Sequence, residues 1–175
     1  VSADGGGTAA RVAVDTNVLI DQAALTSLLL AADRGLLQPI WSPQLVGELA
    51  RAGLWRLGTR SPGRRSISAP QYRDYRELLY RRIHTIDLRF EIVRVAPVAA
   101  VEEEAAWAGA TDPDDLHLQL LARTALADCV VSWNHRHFPG RQVLDSRPCG
   151  ELGGVLWITP DQLPSLRLPA LEVAS

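Results

Sequence analysis

At 175 residues the chain is long enough for one domain with a sizeable core. Its 47% hydrophobic and 22% charged residues are ordinary for a globular protein, and no apolar run spans a bilayer, since Leu25 to Leu37 is broken by Asp33 and Arg34. The net charge of −2 hides an asymmetry: residues 51–94 carry eleven Arg against four acids, a net +7, while residues 1–50 net −3 and residues 95–175 net −6. A basic middle between acidic ends suits a chain that holds a polyanion beside a cation site. It equally suits a solvated helix face balanced by its neighbours.

Residues 1–10, rich in Gly, read as a flexible tail without the basic region and apolar core of a signal peptide. Arg11 to Val14 is the first strand, an apolar run of the kind buried on both faces of a parallel sheet. It delivers Asp15, Thr16 and Asn17, and a helical pattern follows from Val18 to Ala32, ended by Gly35. Asp15 is placed either to cap that helix or to act as a functional carboxylate, because ligands gather at the carboxyl ends of strands in open α/β sheets. Gln38 to Trp41 is a second strand. Ser42 and Pro43 make a helix start, with Ser at the cap and Pro in the first turn, and Leu45, Val46, Leu49, Ala50 and Leu54 bury one side. Glu48 sits one to two turns in, near the preceding strand end.

Gly58 to Ala69 reads as an exposed loop. Pro70 to Phe90 is a long amphipathic helix that buries Leu78, Leu79, Ile83 and Ile86 and turns Arg73, Arg76, Arg81 and Arg82 to water. Glu91 to Val95 is a third strand, and Val98 to Ala108 is helical with Glu102, Glu103 and Glu104 outward. Thr111 to Asp115 opens a helix burying Leu118, Leu121, Ala122 and Ala125. The helix dipole favours acids there without any further role, although the cluster is generous for capping alone. Asp128 to Ser132 is a strand ending in polar residues, with Trp133 and Asn134 after it. Gly154 to Ile158 is the last strand, Thr159 and Pro160 start a short closing helix, and residues 166–175 form a C-terminal tail. One domain over residues 11–165 results, with strands alternating with helices around a mostly parallel sheet. Cys129 and Cys149 lack metal-ligand spacing and read as free thiols of a cytoplasmic protein.

Asp15, Glu48, Asp112 and Asp115 fall where strand ends and helix starts converge, and Asn134 joins them. Clustered carboxylates repel, and a divalent cation relieves that repulsion. Oxygen donors without a Cys/His set suit Mg²⁺ or Mn²⁺ rather than zinc. Such a cation activates water and neutralises charge at a phosphodiester. With an Arg-rich flank for the backbone, the constellation points to metal-dependent phosphodiester hydrolysis. Separate caps and surface groups are the competing account of the same acids.

The chain also resembles the PIN domain family, the nuclease fold of VapC-type toxins. The resemblance rests on Val14 to Leu19, on Glu48 within Ser42 to Leu49, on Asp112-Pro113-Asp114-Asp115 with His117, on Val130 to Pro139, and on Ile158-Thr159-Pro160, in the family's order. It implies a three-layer α/β/α sandwich with a central, mostly parallel sheet. It also implies a Mg²⁺- or Mn²⁺-dependent endoribonuclease, the toxin of a type II toxin–antitoxin pair, with RNA as substrate, a small antitoxin as partner and a homodimer as assembly. Carried over by position, Asp15, Glu48 and Asp115 match the metal-binding acids, and Asp112 or Asp114 is the nearest alternative to Asp115. Asn134 stands where many members have a fourth acid, and so weakens the case for a second metal. Ser132 replaces the usual Thr, and Thr16, Asn17 and Ser132 support the ligands from behind. Arg51, Arg56, Arg60, Arg64 and Arg65 are the candidate RNA contacts.

His117 reads as a helix-surface or supporting group rather than a ligand, and His135 and His137 as structural residues of a turn. Trp133 alone of the five Trp lies beside the site, where it can stack on a base. A non-catalytic PIN-like binding module is the rival reading. A small-molecule phosphatase is weaker, because the chain lacks an Asp-x-Asp-x-Thr nucleophile motif and a Gly-rich phosphate loop.

Overall fold

The computed structural model describes residues 9–59, 68–95, 116–140, 142–144 and 146–165. Strand β1 (Ala10–Val14) begins one residue before the expected domain start, and its Val12, Ala13 and Val14 are wholly buried. A run that is apolar at consecutive positions can be satisfied only with cover on both faces. Strand β2 (Leu37–Trp41) lies parallel on one side of β1, and β4 (Cys129–Val131) lies parallel on the other. Outside β2 comes β3 (Glu91–Ile92), also parallel and shorter than the expected Glu91 to Val95.

The helical pattern after β1 divides in two: α1 (Thr16–Ile20) and α2 (Gln22–Asp33). Asp21 makes the break. Its backbone is extended, and its carboxylate accepts the N–H groups of Ala23 and Ala24 at 2.9 and 3.1 Å, capping α2. Gly35, at φ +70°, ends α2 as expected, in the left-handed conformation that favours glycine.

Helix α3 (Leu45–Thr59) starts two residues beyond Pro43. Ser42 still opens the turn, its carbonyl accepting from Leu45 N–H at 2.9 Å. The helix runs one residue past Gly58, where a loop was expected to begin. Helix α4 (Ala69–Arg89) is fixed at its start by a reciprocal cap between Ser68 and Gln71. Ile86 is buried and Leu79 and Ile83 pack on the core, but Leu78 is 54% exposed, contrary to expectation. Arg73, Arg76 and Arg81 face water, while Arg82 is half-buried and donates to the Ile20 carbonyl and the Gln22 side chain, both at 2.8 Å. The expected helix over 98–108 lies outside the described residues. Helix α5 (Leu116–Thr124) buries Leu118, Leu121 and Ala122, with Ala125 following.

Beyond β4 the sheet gains an extension in a stretch to which the sequence analysis assigned no element. Strand β5 (Gln142–Leu144) pairs antiparallel with β6 (Arg147–Leu152), and β6 pairs antiparallel with β7 (Val155–Ile158). Pro148 and Gly150 conceal β6. Pro148 faces Val143 of β5, in the half of β6 that β7 does not reach, so its missing N–H costs no bond to β7. Strand β7 returns parallel to β4, and the order is β3-β2-β1-β4-β7-β6-β5. Crossovers run from β1 outward to β3 and then return to β4. Because parallel crossovers are right-handed, reversing direction puts helices on opposite faces of the sheet. The result is a three-layer α/β/α sandwich around a mixed, mainly parallel sheet. No helix among the described residues is long and apolar enough to cross a membrane.

Candidate functional site

Connections leave β1 in one direction and enter β4 from the other, so the switch point of the sheet lies between these two strands. A crevice at the carboxyl ends of the strands is expected there. Asp15 and Ser132, the first residues past β1 and β4, stand at it. Asp15 N–H donates to the Val131 carbonyl at 3.0 Å, and Ser132 N–H donates to the Ile158 carbonyl at 3.0 Å. The sheet's own ladder thus aims both side chains.

Asp15 is 8% exposed. Its Oδ2 accepts from Ser132 Oγ at 2.5 Å and from Asn17 Nδ2 at 2.6 Å, while Oδ1 receives one long contact from Asn17 N–H at 3.4 Å. The carboxylate therefore caps α1 at the carboxyl end of β1. Asn17 extends the lock: Nδ2 also reaches Ser132 Oγ at 3.1 Å, and Oδ1 accepts Trp133 N–H at 2.9 Å. Ser132 Oγ accepts Asn134 N–H at 2.9 Å, which brings Asn134 to the rim. Trp133 beside it is 38% exposed.

Glu48 approaches from α3. Its Oε2 accepts Thr16 Oγ1 at 2.9 Å and faces His117 Nε2 of α5 at 3.2 Å. Burial pushes Asp15 above the ordinary carboxylate range; the Ser132 hydrogen bond opposes this and the charge of Glu48 adds to it. For Glu48 burial also acts upward, but His117, Thr16 and the Arg51 guanidinium together outweigh it and hold the carboxyl below its usual range. Two adjacent carboxylates are thus driven apart, one resisting ionisation and the other favouring it.

Asp15, Thr16, Asn17, Glu48 and Ser132 come together, joined by His117, whose link to Glu48 the sequence reading did not identify. Its signal was position alone, a polar residue at the start of an apolar helix entered through acids. Arg51 is exposed on α3 one turn beyond Glu48, and Arg56 lies further along that helix. Asp112, Asp114, Asp115, Arg60, Arg64 and Arg65 lie outside the described residues. Among the described residues no group of three or more His, Cys, Asp or Glu is placed to hold a metal ion. The two acids present nevertheless fit one as hard oxygen donors: Asp15 Oδ1 is engaged only weakly, the described hydrogen bonds of Glu48 use Oε2, and a divalent cation would offset the cost of ionising Asp15 in a buried place. A cavity of about 450 Å³ lies nearby between the α1–α2 junction, α3 and α4, lined by Ile20, Leu49, Gly53, Tyr75, Leu78 and Leu79.

A mainly parallel α/β/α sandwich with Asp15 and Glu48 near its switch point places this protein in the class of α/β sandwich proteins. Within that class the chain belongs to the PIN domain family, whose profile matches residues 11–136. No curated protein matches it. Among solved structures it is similar to the crystal structure of PAE2754 from Pyrobaculum aerophilum, with a TM-score of 0.52 and 17% identity over 98% of this chain and 94% of that one. At that identity the likeness speaks to the fold.

Proposed function

We propose that this PIN domain is a Mg²⁺- or Mn²⁺-dependent endoribonuclease acting as the toxin of a type II toxin–antitoxin pair. The observation that carries the reading is the meeting of Asp15 and Glu48 at the switch point, with Asp15 buried as a carboxyl that resists ionisation. Asp15, Glu48 and Asp115 hold the cation, with Asp112 and Asn134 assisting. A bound divalent cation supplies charge neutralisation at the phosphodiester and a more acidic water. The chain's own contribution is orientation. Ser132 and Asn17 fix Asp15 Oδ2 and leave Oδ1 for the ligand, and Thr16 fixes Glu48 from behind. Arg51, Arg56, Arg60, Arg64 and Arg65 hold the RNA backbone beside the acids, and Trp133 offers an exposed ring for an unpaired base.

The antitoxin, by resemblance to the family, covers the crevice, and a homodimer is the expected assembly. The exposed Tyr72, Leu78, Tyr80 and Leu88 of α4 supply apolar surface for a protein partner. The deciding experiment is cleavage of single-stranded and structured RNA with Mn²⁺, comparing the natural chain with Asp15→Asn. Cleavage is expected to need the metal and to fall at least 100-fold in the variant, the scale of losing a central group of the site. Activity that survives the substitution overturns the assignment. The second reading, a binding module without catalysis, draws on Asn134 in place of an acid. It is favoured if Mn²⁺ titration shows no binding at millimolar metal while RNA still binds.

A further inference from the structure

Three elements that are distant in sequence converge on one oxygen atom. Glu48 projects from α3, Thr16 from the first residue of α1, and His117 from the start of α5, 69 residues after Glu48. Thr16 Oγ1 donates to Glu48 Oε2 at 2.9 Å, and His117 Nε2, a buried atom, stands 3.2 Å from the same oxygen, a charge contact rather than a formed hydrogen bond. The His117 and Glu48 side chains are 22% and 30% exposed, so the pair is partly withdrawn from water, where a polar contact holds its geometry better than at a fully exposed site. Thr16 is 4% exposed. Helices α3 and α5 come from crossovers of opposite direction, so the contact between His117 and Glu48 bridges the two helical layers over the carboxyl end of β1. Asp15 precedes Thr16 directly, so the Thr16–Glu48 bond brings the pair to the end of β1 where Asp15 stands.

We propose that His117 is a positioning residue, which with Thr16 clamps Oε2 of Glu48 and so reserves Oε1 for a divalent cation shared with Asp15. The proposal rests on the reading of this crevice as a cation site. The logic is that of an outer partner orienting a ligand: a carboxylate held through one oxygen loses little further freedom when the other binds metal. Thr16 alone leaves Glu48 a single tether on its own side of the sheet. His117 adds a second from the opposite layer, a charge contact that limits the swing of the carboxylate. The contacting atom is Nε2, at the far end of the imidazole, so a side chain that places a donor at that distance should replace it. Gln does so through its amide nitrogen; Asn, one carbon shorter, reaches only to the position of Nδ1.

The test is calorimetric titration of the metal-free chain with Mn²⁺ alone, for the natural protein and for His117→Ala, His117→Asn and His117→Gln, with a thermal melt of each. His117→Ala is expected to weaken Mn²⁺ binding about tenfold, the range seen when an outer partner of a metal ligand is removed. His117→Asn should match it, and His117→Gln should stay within about threefold of the natural chain. In RNA cleavage the Mn²⁺ needed for half-maximal rate should rise in the first two variants while KM for RNA stays unchanged. Natural-like Mn²⁺ affinity in His117→Ala overturns the proposal, and so does a His117→Gln variant as weak as His117→Ala, since His117 would then be a ligand or a packing residue. Should His117→Ala fail to fold, the difference between the Gln and Asn variants decides it. A natural chain that binds no Mn²⁺ overturns both this proposal and the nuclease reading. Natural binding and cleavage with indifferent variants removes only the clamp.

Discussion

Asp15 carries a conflict that the rest of the site is arranged around. Its carboxyl is buried and next to Glu48, so ionising it is costly in the metal-free protein, yet Ser132 and Asn17 spend their donors on the ionised form. A group whose acidity is weakened on folding contributes stability at pH values below its ordinary 3.8, and this is lost as pH rises through its raised value. Glu48 has the opposite sign. Its pKa is lowered, so its contribution is present above its ordinary 4.5 and is lost as pH falls through the lowered value. Above the carboxylate range, metal-free Asp15→Asn should therefore be more stable than the natural chain by about 1 kcal/mol, the usual gain when a functional site is relaxed. Glu48→Gln should be less stable than the natural chain under the same conditions. Both differences should shrink toward pH 3. Chemical denaturation in EDTA across pH 3 to 8 measures them, and parallel curves for all three proteins would refute the assignment of these charges. Adding Mn²⁺ should stabilise the natural chain and leave Asp15→Asn unmoved, as mass action requires of a ligand that binds only the intact site.

Among the elements, α1 is the hinge between strand and site. It has five residues, too few to persist alone, and it exists because Asp15 caps its start and Asp21 takes over at its end. Asp21→Ala should cost about 1 kcal/mol, the typical loss of a capping side chain. It should also loosen the start of α2, read as faster amide exchange at Ala23 and Ala24. Unchanged exchange there would mean that α2 is held by packing alone. Asp21 also shows where sequence reasoning stops. A hydrophobic pattern running from Val18 to Ala32 reads as one helix, and nothing in the period marks an acid that caps instead of decorating the surface. The parallel strands were legible because burial on both faces writes itself as consecutive apolar residues, as in Val12 to Val14 and Cys129 to Val131. Strand β6 was not, since Pro148 and Gly150 are punctuation in sequence and are tolerated here by partner geometry. Leu78 was misplaced for a related reason: its helical spacing fits the apolar stripe of α4, but it lines the open cavity between α3 and α4 and stays 54% exposed. In the site, the positions of Asp15, Glu48 and Ser132 at strand ends and helix starts were readable. The contact of His117 with Glu48, made across 69 residues and two layers, leaves no mark in local pattern.

At the scale of the molecule, the two ends of the sheet divide the work. At the amino ends of the strands Arg11 acts as a staple: its N–H donates to Asp128 at 2.7 Å, Nε to the Ala125 carbonyl at 2.8 Å, and Nη2 to Glu91 at 2.8 Å, tying β3 and the approach to β4 to the central strand. At the carboxyl ends lie the acids, with Arg51 exposed one turn beyond Glu48 on α3, at the start of the segment that carries net +7. Arg11 and Arg51 each contribute one positive charge, but of these two it is Arg51, one turn beyond Glu48 on α3, that the proposed RNA backbone would pass. Their substitutions thus separate local phosphate contact from overall charge. For single-stranded nucleic acid each neutralised phosphate adds about 0.7 to the steepness of log affinity against log salt. Arg51→Ala should reduce the slope for a single-stranded RNA by about that amount and weaken binding across sequences alike. Arg11→Ala should leave the slope unchanged while lowering stability by about 1 kcal/mol, a modest loss because its ion pair with Glu91 is over a third exposed. Fluorescence anisotropy at several salt concentrations, with Ca²⁺ in place of Mn²⁺ to limit cleavage, gives both slopes. If the two variants lose slope equally, the RNA is reading the net charge of the chain and not a path beside the acids.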